Sequence, residues 1–385
     1  MDNFRFCVGT EILFGRGQEE KLPEVLRAYG KNILITYGGG SIKRNGLYEK
    51  VMNLLEEYNV FELSGIEPNP RIESVYEGVK LCREYKIDVI LAIGGGSTID
   101  CSKLIAAATY YEGDAWDLVL DSSKITNALP LCTILTLAAT GSEMDCGGVI
   151  TNLKTKEKLG FGSEYCLPKT SILNPENTFT VPKNQTAAGS ADIMSHIFEV
   201  YFSVKEAFVP DRISEGLLKT VIKYAPIAME EPDNYEARAQ LMWASSLAIN
   251  GLCDTGKGGA WSCHSIEHEL SAYYDITHGV GLAIVTPRWM RYVLNDDTVD
   301  KFVEYGVNVW NLDASMEKFE LANKAIDCTY EFFKSLEIPM TLGEVGIDET
   351  HFEAMAEHAV EFGYLAYAYV PLKKEDVIEI LKMCR

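Results

Sequence analysis

Paired cysteines, long apolar runs and an excess of positive charge are all missing from this sequence. Its ten cysteines are scattered without a C-x-x-C pair, which argues against a zinc knuckle or a disulfide framework and predicts reduced thiols in a cytoplasmic protein. No apolar run reaches the roughly 18 residues that a membrane helix needs. The formal net charge of −21 argues against nucleic acid and anionic membrane surfaces as partners. The N-terminus lacks a basic region followed by an apolar one, so neither export nor insertion is expected.

The 385 residues are enough for two domains, and the two halves have different hydrophobic patterns. In the first half, short apolar runs alternate with amphipathic stretches, which predicts strands at residues 32–36, 60–63, 88–93 and 131–136. After Pro182, long helical patterns follow one another at residues 185–202, 235–250 and 316–336. We therefore predict an α/β plus all-α architecture. Residues 1–181 form a Rossmann-like domain with a parallel sheet, and residues 182–385 form a helical domain.

Two of the predicted strands run into the same glycine-rich tetrapeptide. Glycines after a strand let backbone N–H groups approach an anion, and the helix that follows adds a partial positive charge. A tight turn alone would also explain one such motif, but two in one sheet favour a nucleotide phosphate. The two motifs are Gly38, Gly39, Gly40 and Ser41, and Gly94, Gly95, Gly96 and Ser97. Neither is the G-x-G-x-x-G fingerprint, which indicates a different dinucleotide-binding lineage.

The residues that follow these turns suggest further contacts to a dinucleotide. After the second turn, Ser97 and Thr98 offer hydroxyls to a pyrophosphate, and Asp100 would cap or orient the helix. A third loop, which follows another predicted strand, offers three more hydroxyl donors: Thr136, Thr140 and Ser142.

The first turn bears on the choice of coenzyme. An NAD-specific site usually places an acidic residue near the adenosine ribose, and none stands at this turn. Lys43 and Arg44 follow instead, and with Ser41 they suit a 2′-phosphate. The alternative is that both cations are ordinary solvated surface charges. We predict NADP(H) in preference to NAD(H).

Four of the six histidines lie between residues 196 and 278, in a pattern that suits a metal. Asp192 and His196 are four residues apart, and so are His264 and His268, so each pair shares one face of a helix. His278 is expected where one helix ends and another begins. A single histidine is usually a satisfied core or surface side chain, but one carboxylate with three imidazoles makes a divalent-metal cage. His351 and His358 have no such context and are predicted to be surface residues.

These residues resemble a known family, the iron-containing (group III) alcohol dehydrogenases, and within it the NADPH-dependent butanol dehydrogenase and aldehyde reductase branch. The resemblance runs from Lys31 through the C-terminal helices, and it is strongest at residues 94–100, 139–144, 189–196 and 261–279. It implies the dehydroquinate synthase-like fold, with a cleft for coenzyme and metal between an N-terminal α/β domain and a C-terminal helical domain. It also implies a homodimer and a bound divalent metal, either ferrous iron or zinc.

The resemblance also implies roles for individual residues. The metal ligands would be Asp192, His196, His264 and His278. Turnover would depend on His264 and on His268, which would lie near the nicotinamide and the substrate. Gly38, Gly39 and Ser41 resemble the family's 2′-phosphate pocket, and Lys158 matches a lysine that reaches the coenzyme ribose. Ala260 stands where relatives of this branch commonly carry Asp before the tryptophan, and this departure could alter metal affinity or metal choice.

The implied function is hydride transfer between NADP(H) and a primary alcohol or aldehyde, with a divalent metal as Lewis acid. Three alternatives stay open. A lyase of the same fold, such as a sugar-phosphate cyclase with NAD and zinc, would be expected to carry Glu in place of Asp192. A metal-dependent hydrolase would not need the glycine turns. A non-catalytic nucleotide-binding protein would tolerate loss of the ligand set.

Overall fold

The computed structural model describes residues 1–259 and 261–385. Within them the strands are β1 (Glu11–Phe14), β2 (Asn32–Tyr37), β3 (Asn59–Leu63), β4 (Val89–Gly94), β5 (Leu131–Leu135), β6 (Gly147–Asn152), β7 (Glu157–Gly162) and β8 (Thr170–Leu173). The α-helices of the first half of the chain are α1 (Leu22–Leu26), α2 (Ser41–Arg44), α3 (Leu47–Leu54), α4 (Ile72–Glu84), α5 (Gly96–Ala108) and α6 (Trp116–Leu120).

The later helices are α7 (Lys183–Tyr201), α8 (Phe208–Glu230), α9 (Tyr235–Ile249), α10 (Ser262–Tyr274), α11 (His278–Val293), α12 (Val299–Asn308), α13 (Lys318–Ser335), α14 (Phe352–Phe362) and α15 (Lys374–Met383). Short 3-10 turns lie at Gln18–Lys21, Ser122–Lys124, Ser142–Met144, Glu164–Cys166, Pro175–Thr178, Gly343–Val345, Glu349–His351 and Leu365–Tyr367.

The described chain forms two compact units. One consists of Cys7–Val181 and Pro232–Ser246, and the other of Met1–Phe6, Pro182–Glu231 and Leu247–Arg385. The division predicted at residues 181/182 was continuous, whereas here most of α9 packs with the sheet-containing unit. Met242 of that helix belongs to the core cluster on one face of the sheet, which explains the grouping.

The first unit is built on a six-stranded parallel sheet in the order β1-β8-β5-β4-β2-β3, beside the antiparallel hairpin β6-β7. The four strands predicted from the sequence are confirmed. Helices cover both faces of the central strands, so these strands are almost entirely apolar rather than alternating. Because β5, β4 and β2 are neighbours, the loops after their carboxyl ends meet at one edge of the sheet.

The second unit is helical, which confirms the predicted α/β plus all-α class. The predicted helices at residues 185–202 and 316–336 correspond to α7 and α13. Nearly every residue of α7 is buried, and small side chains such as Ala188 and Ala191 let neighbouring helices pack closely against it. In the described part of the chain, no helix combines the length and the apolar content that a bilayer span requires.

Candidate active site

Helix α7 carries the first two candidate metal ligands. Asp192 and His196 are four residues apart, so they lie one above the other on the same face, and both side chains are about 5% exposed. The Oδ1 atom of Asp192 lies 3.6 Å from Nε2 of His196. Burial lowers the pKa of His196 to about 3, so the imidazole is neutral and its ring nitrogen is available as a ligand.

Helices α10 and α11 bring the other two candidate ligands to the same carboxylate. The Nε2 atom of His264, in the first turn of α10, lies 4.0 Å from Oδ1 of Asp192. The Nε2 atom of His278 lies 3.7 Å from that oxygen. His278 is the first residue of α11, as the sequence predicted. One carboxylate oxygen therefore faces three imidazole nitrogens, and we call Asp192, His196, His264 and His278 the Asp192 cluster.

The Asp192 cluster has the dimensions and the unsatisfied atoms of a metal site. Ligand atoms about 2.1 Å from one tetrahedral ion lie roughly 3.4 Å apart, close to the observed separations. Among the described residues, Oδ1 of Asp192 and Nε2 of His264 are buried without a hydrogen-bond partner. Buried polar atoms without partners are costly, and a divalent cation would satisfy them together. The residues present therefore fit a divalent metal.

Two buried glutamates hold the opposite sides of the candidate ligands. Glu199 accepts a hydrogen bond from Nδ1 of His264 at 3.0 Å, and Glu267 is bonded to Nδ1 of His278. Glu199 also accepts the backbone N–H groups of Ser262 at 2.7 Å and His264 at 2.8 Å, which satisfies the first turn of α10. A carboxylate on Nδ1 directs the Nε2 lone pair toward the metal position.

Sequence reasoning missed both glutamates. Glu199 follows Asp192 by seven residues, two turns of the same helix, so its spacing alone could have drawn attention to it. Glu267 follows His264 by three residues but bonds to His278, a pairing that depends on how α10 packs against α11.

Glycine at position 279 allows α11 to approach α7 closely. A Cβ atom at Gly279 would lie 2.0 Å from the carbonyl oxygen of Ala188, one helical turn before Asp192. Gly281 makes similar room for Glu267, since a Cβ there would lie 2.7 Å from Cγ of that side chain. These two glycines therefore fix how near His278 comes to the carboxylate.

We expect Gly279→Ala to lower the free energy of unfolding by about 1–3 kcal/mol, because backbone must move to admit the methyl group. The matched control is Gly216→Ala in α8, where a Cβ would meet no atom within 4 Å. That helical substitution should raise the free energy of unfolding by about 0.5–1 kcal/mol. Denaturant titration of both variants measures the difference. Equal effects would mean that the α7 and α11 backbones can separate freely.

The remaining histidines lie outside the Asp192 cluster. The ring of His268 lies 5.5 Å from that of His278 and 6.2 Å from that of His264.

His358, predicted to be a surface residue, is only partly exposed, and its Nδ1 lies 2.6 Å from Glu269. His351 is partly buried against the ring of Tyr273, 5.0 Å away. Ala260, the departure noted in the sequence, lies outside the described residues.

The second glycine turn, in the sheet-containing unit, forms a cradle that only glycines fit. A Cβ atom at Gly96 would lie 2.3 Å from Oγ1 of Thr140, and one at Gly94 would lie 2.4 Å from Oγ1 of Thr98. Helix α5 begins there, and no side chain caps its N-terminus at Gly95. Its first N–H groups are therefore available to an anion, as a nucleotide phosphate requires.

The three predicted loops come together at this edge of the sheet. A Cβ atom at Gly38 would lie 4.0 Å from Oγ1 of Thr98, which links the first turn to the second. The backbone N–H of Thr136 donates to the carbonyl of Gly94 at 3.0 Å, which links the third loop to the second turn. Ser97 is half-buried beside them. This convergence fits a bound dinucleotide.

Two predicted contacts serve the protein itself instead. Asp100 does not cap α5, because it lies within the helix and its carboxylate accepts from the backbone of Val149 at 2.9 Å. Its other oxygen accepts from the hydroxyl of Ser142 at 2.6 Å, and that hydroxyl also accepts from Lys103 at 2.9 Å. The Ser142 proton is therefore committed to Asp100. Both side chains are buried, and their hydrogen bonds join α5 to β6 and to the third loop.

Lys158 and Lys43, the two predicted cationic contacts, lie in different surroundings. Lys158 is on β7, opposite Thr151, and only 3% of it is exposed. Burial raises the pKa of Asp100, and the positive charges of Lys103 and Lys158 offset part of that rise. Lys43 is on α2 with its side chain 46% exposed, 3.8 Å from Glu62. The ammonium group that was predicted to meet a 2′-phosphate therefore already faces a carboxylate.

Comparison with known proteins matches both halves of the chain. The model for iron-containing alcohol dehydrogenase matches residues 9–175, and the model for the C-terminal domain of the Fe-containing alcohol dehydrogenase family matches residues 186–384. NADH-dependent butanol dehydrogenase A of Clostridium acetobutylicum is 58% identical over 99% of each chain. NADPH-dependent aldehyde reductase YqhD of Escherichia coli is 39% identical over 94% of each. The crystal structure of NADH-dependent butanol dehydrogenase A from Thermotoga maritima superposes with a TM-score of 0.95 at 39% identity, covering 100% of this chain and 99% of that chain.

Proposed function

Because the chain belongs to the iron-containing alcohol dehydrogenase family, we propose that its Asp192 cluster holds the divalent cation that a hydride transfer to an aldehyde requires. Oxidation of alcohols and reduction of aldehydes with a nicotinamide coenzyme and a metal is the chemistry of this family. The observation that carries the proposal is the convergence of three Nε2 atoms on one oxygen of Asp192. A short or medium-chain primary alcohol or aldehyde is the proposed substrate.

The cation, ferrous iron or zinc, supplies Lewis-acid polarisation of the substrate oxygen, and the nicotinamide supplies or accepts the hydride. The chain's residues prepare that chemistry. Glu199 and Glu267 fix the rings of His264 and His278, so their Nε2 atoms need no reorganisation. His268 lies beside His278, and we assign it the role of accepting the proton that the alcohol oxygen loses on oxidation.

For the coenzyme, we propose that the glycine turns bind a dinucleotide and that the site accepts the 2′-phosphate of NADP(H). No carboxylate stands in the first turn, where an NAD-specific site usually places one. The names of similar proteins point both ways, since the C. acetobutylicum relative is NADH-dependent and the E. coli relative is NADPH-dependent. We therefore replace the preference for NADP(H) predicted from the sequence with the proposal that the protein uses both coenzymes. A homodimer and a cytoplasmic location complete the proposal, and the ten free cysteines support a reducing compartment.

The proposal predicts that butyraldehyde will cause loss of the near-ultraviolet absorbance of NADPH and NADH when the purified protein carries ferrous iron or zinc. The rate should fall at least about tenfold after the metal is chelated and should return when metal is added back, because turnover needs the cation. Coenzyme oxidation that is independent of aldehyde would point to an adventitious reaction. No oxidation of either coenzyme by the metal-loaded protein would contradict the proposal.

The same assay separates the alternative functions. A cyclase-like lyase of this fold would leave the reduced coenzyme unchanged, and Asp192 argues against it, since Glu is expected there. A hydrolase would use the metal without the coenzyme, and a non-catalytic protein would bind NADPH without turnover.

A further inference from the structure

Four side chains beside the first glycine turn form a tyrosine-lined ion pair, which we define as Tyr37, Lys43, Tyr48 and Glu62. The ammonium of Lys43 lies 3.8 Å from Oε2 of Glu62. It also lies 4.4 Å from the ring centre of Tyr48 and 5.0 Å from that of Tyr37, within cation–π distance. Both tyrosine hydroxyls donate to Glu62, at 2.6 Å from Tyr37 and 2.7 Å from Tyr48.

Both members of this pair are charged. Burial by itself would raise the pKa of Glu62, but the tyrosine hydroxyls and Lys43 hold it below its ordinary value. The hydrogen bond with Tyr37 raises the pKa of Lys43. The pair therefore contributes no net charge to its surroundings at neutral pH. Lys43 considered without Glu62 would instead suggest a positively charged site.

The pair stands directly beside the turn that is expected to meet the adenosine ribose. Tyr37 ends β2 and precedes Gly38, and Lys43 lies in the helix that begins just after the turn. Glu62 is on β3, where it pairs with Ile35 of β2. The loop that follows β3 returns to the turn, since the N–H of Gly65 donates to the carbonyl of Gly38 at 3.2 Å.

We propose that Glu62 is a specificity-determining residue, which withholds Lys43 from a 2′-phosphate and so lets NAD(H) compete with NADP(H). This inference rests on the proposed function, because it concerns the same coenzyme site. A 2′-hydroxyl carries no charge and is not repelled by Glu62, whereas a 2′-phosphate is repelled by it and gains little from a cation that is already paired. Coenzyme choice is thus set by a carboxylate one strand away from the position where an acidic residue usually sits.

The test measures direct binding of each reduced coenzyme to the metal-loaded protein. Binding is monitored during the titration through the fluorescence of the reduced nicotinamide. Glu62→Gln keeps the shape of the side chain and removes its charge. It should lower the dissociation constant of NADPH roughly fivefold, with that of NADH unchanged, since one repulsive charge is removed and Lys43 is released. Adding Lys43→Gln to that variant should cancel the gain. Lys43→Gln alone should change NADPH binding less than it does in the Glu62→Gln background.

The matched control is Glu57→Gln. Glu57 is exposed and lies just before β3, at the amino-terminal ends of the strands, whereas the first glycine turn lies at their carboxyl ends. It makes the same change in net charge and should leave both dissociation constants unaltered. A ratio of the two constants that is unchanged in Glu62→Gln, or changed equally by Glu57→Gln, would overturn the inference and leave the proposed function intact. Failure of the natural protein to bind either coenzyme would overturn both.

Discussion

Replacing His264 with alanine should abolish metal retention and turnover together. The side chain supplies one of the three nitrogens that face Asp192, and its loss also leaves the Glu199 carboxylate without its imidazole partner. With one ligand missing, we expect bound metal to fall from about one ion per chain to less than about a tenth after dialysis against a weak chelator. Elemental analysis of the dialysed protein measures this directly, and coenzyme oxidation with butyraldehyde reports on turnover.

The control for this variant is His358→Ala. His358 is partly buried and, like His264, is bonded to a carboxylate, Glu269, but it lies outside the Asp192 cluster. It should keep its metal and its activity, even if its stability falls. Turnover that persists in a metal-free His264→Ala protein would refute the assigned chemistry. Metal that persists there at full occupancy would refute the ligand set.

Neutralising Glu199 should weaken the metal site while every candidate ligand stays in place. In Glu199→Gln the amide oxygen can accept from at most two of the three donors that the carboxylate serves, and the NH2 group faces the third donor as another donor. The imidazole also loses the negative charge that raises its basicity. We expect the dissociation constant for zinc, measured by competition with a chromophoric chelator, to rise roughly 10- to 100-fold.

A buried carboxylate elsewhere in the same unit separates metal binding from general stability. Glu215 accepts from the hydroxyl of Tyr201 at 2.8 Å and from the amide of Asn308 at 2.9 Å, away from the Asp192 cluster. Glu215→Gln should lower the free energy of unfolding and leave the zinc constant unchanged. If both substitutions shift that constant equally, Glu199 acts only through the stability of the fold.

Much of the fold was predictable because its signals are local. The apolar runs that became β2, β3, β4 and β5 are buried on a sheet with helices on both faces, so nearly every residue in the central strands had to be hydrophobic. The helical periods were equally clear, but they did not show to which of the two units α9 belongs. Its pattern is helical in either unit, and only packing beside the sheet decides where it belongs.

The candidate site divides in the same way. The spacings of Asp192 with His196 and of His264 with His268 follow from the period of a helix and could be read directly. The neighbours of each side chain could not. Asp100 and Ser142 turned inward to each other, and Lys43 met Glu62, because each contact joins segments that are distant along the chain.

The sequence by itself therefore determined which elements form, which histidines share a helical face and which turns leave backbone N–H groups available to an anion, since each depends on residues within a few positions. Tertiary structure decided what those groups meet. The close approach of α11 to α7 at Gly279 brings His278 to Asp192, and the packing of α10 gives His264 its partner in Glu199. Such pairings are set by the geometry of packed helices and strands, in which contacts depend on proximity in space and not on separation along the chain.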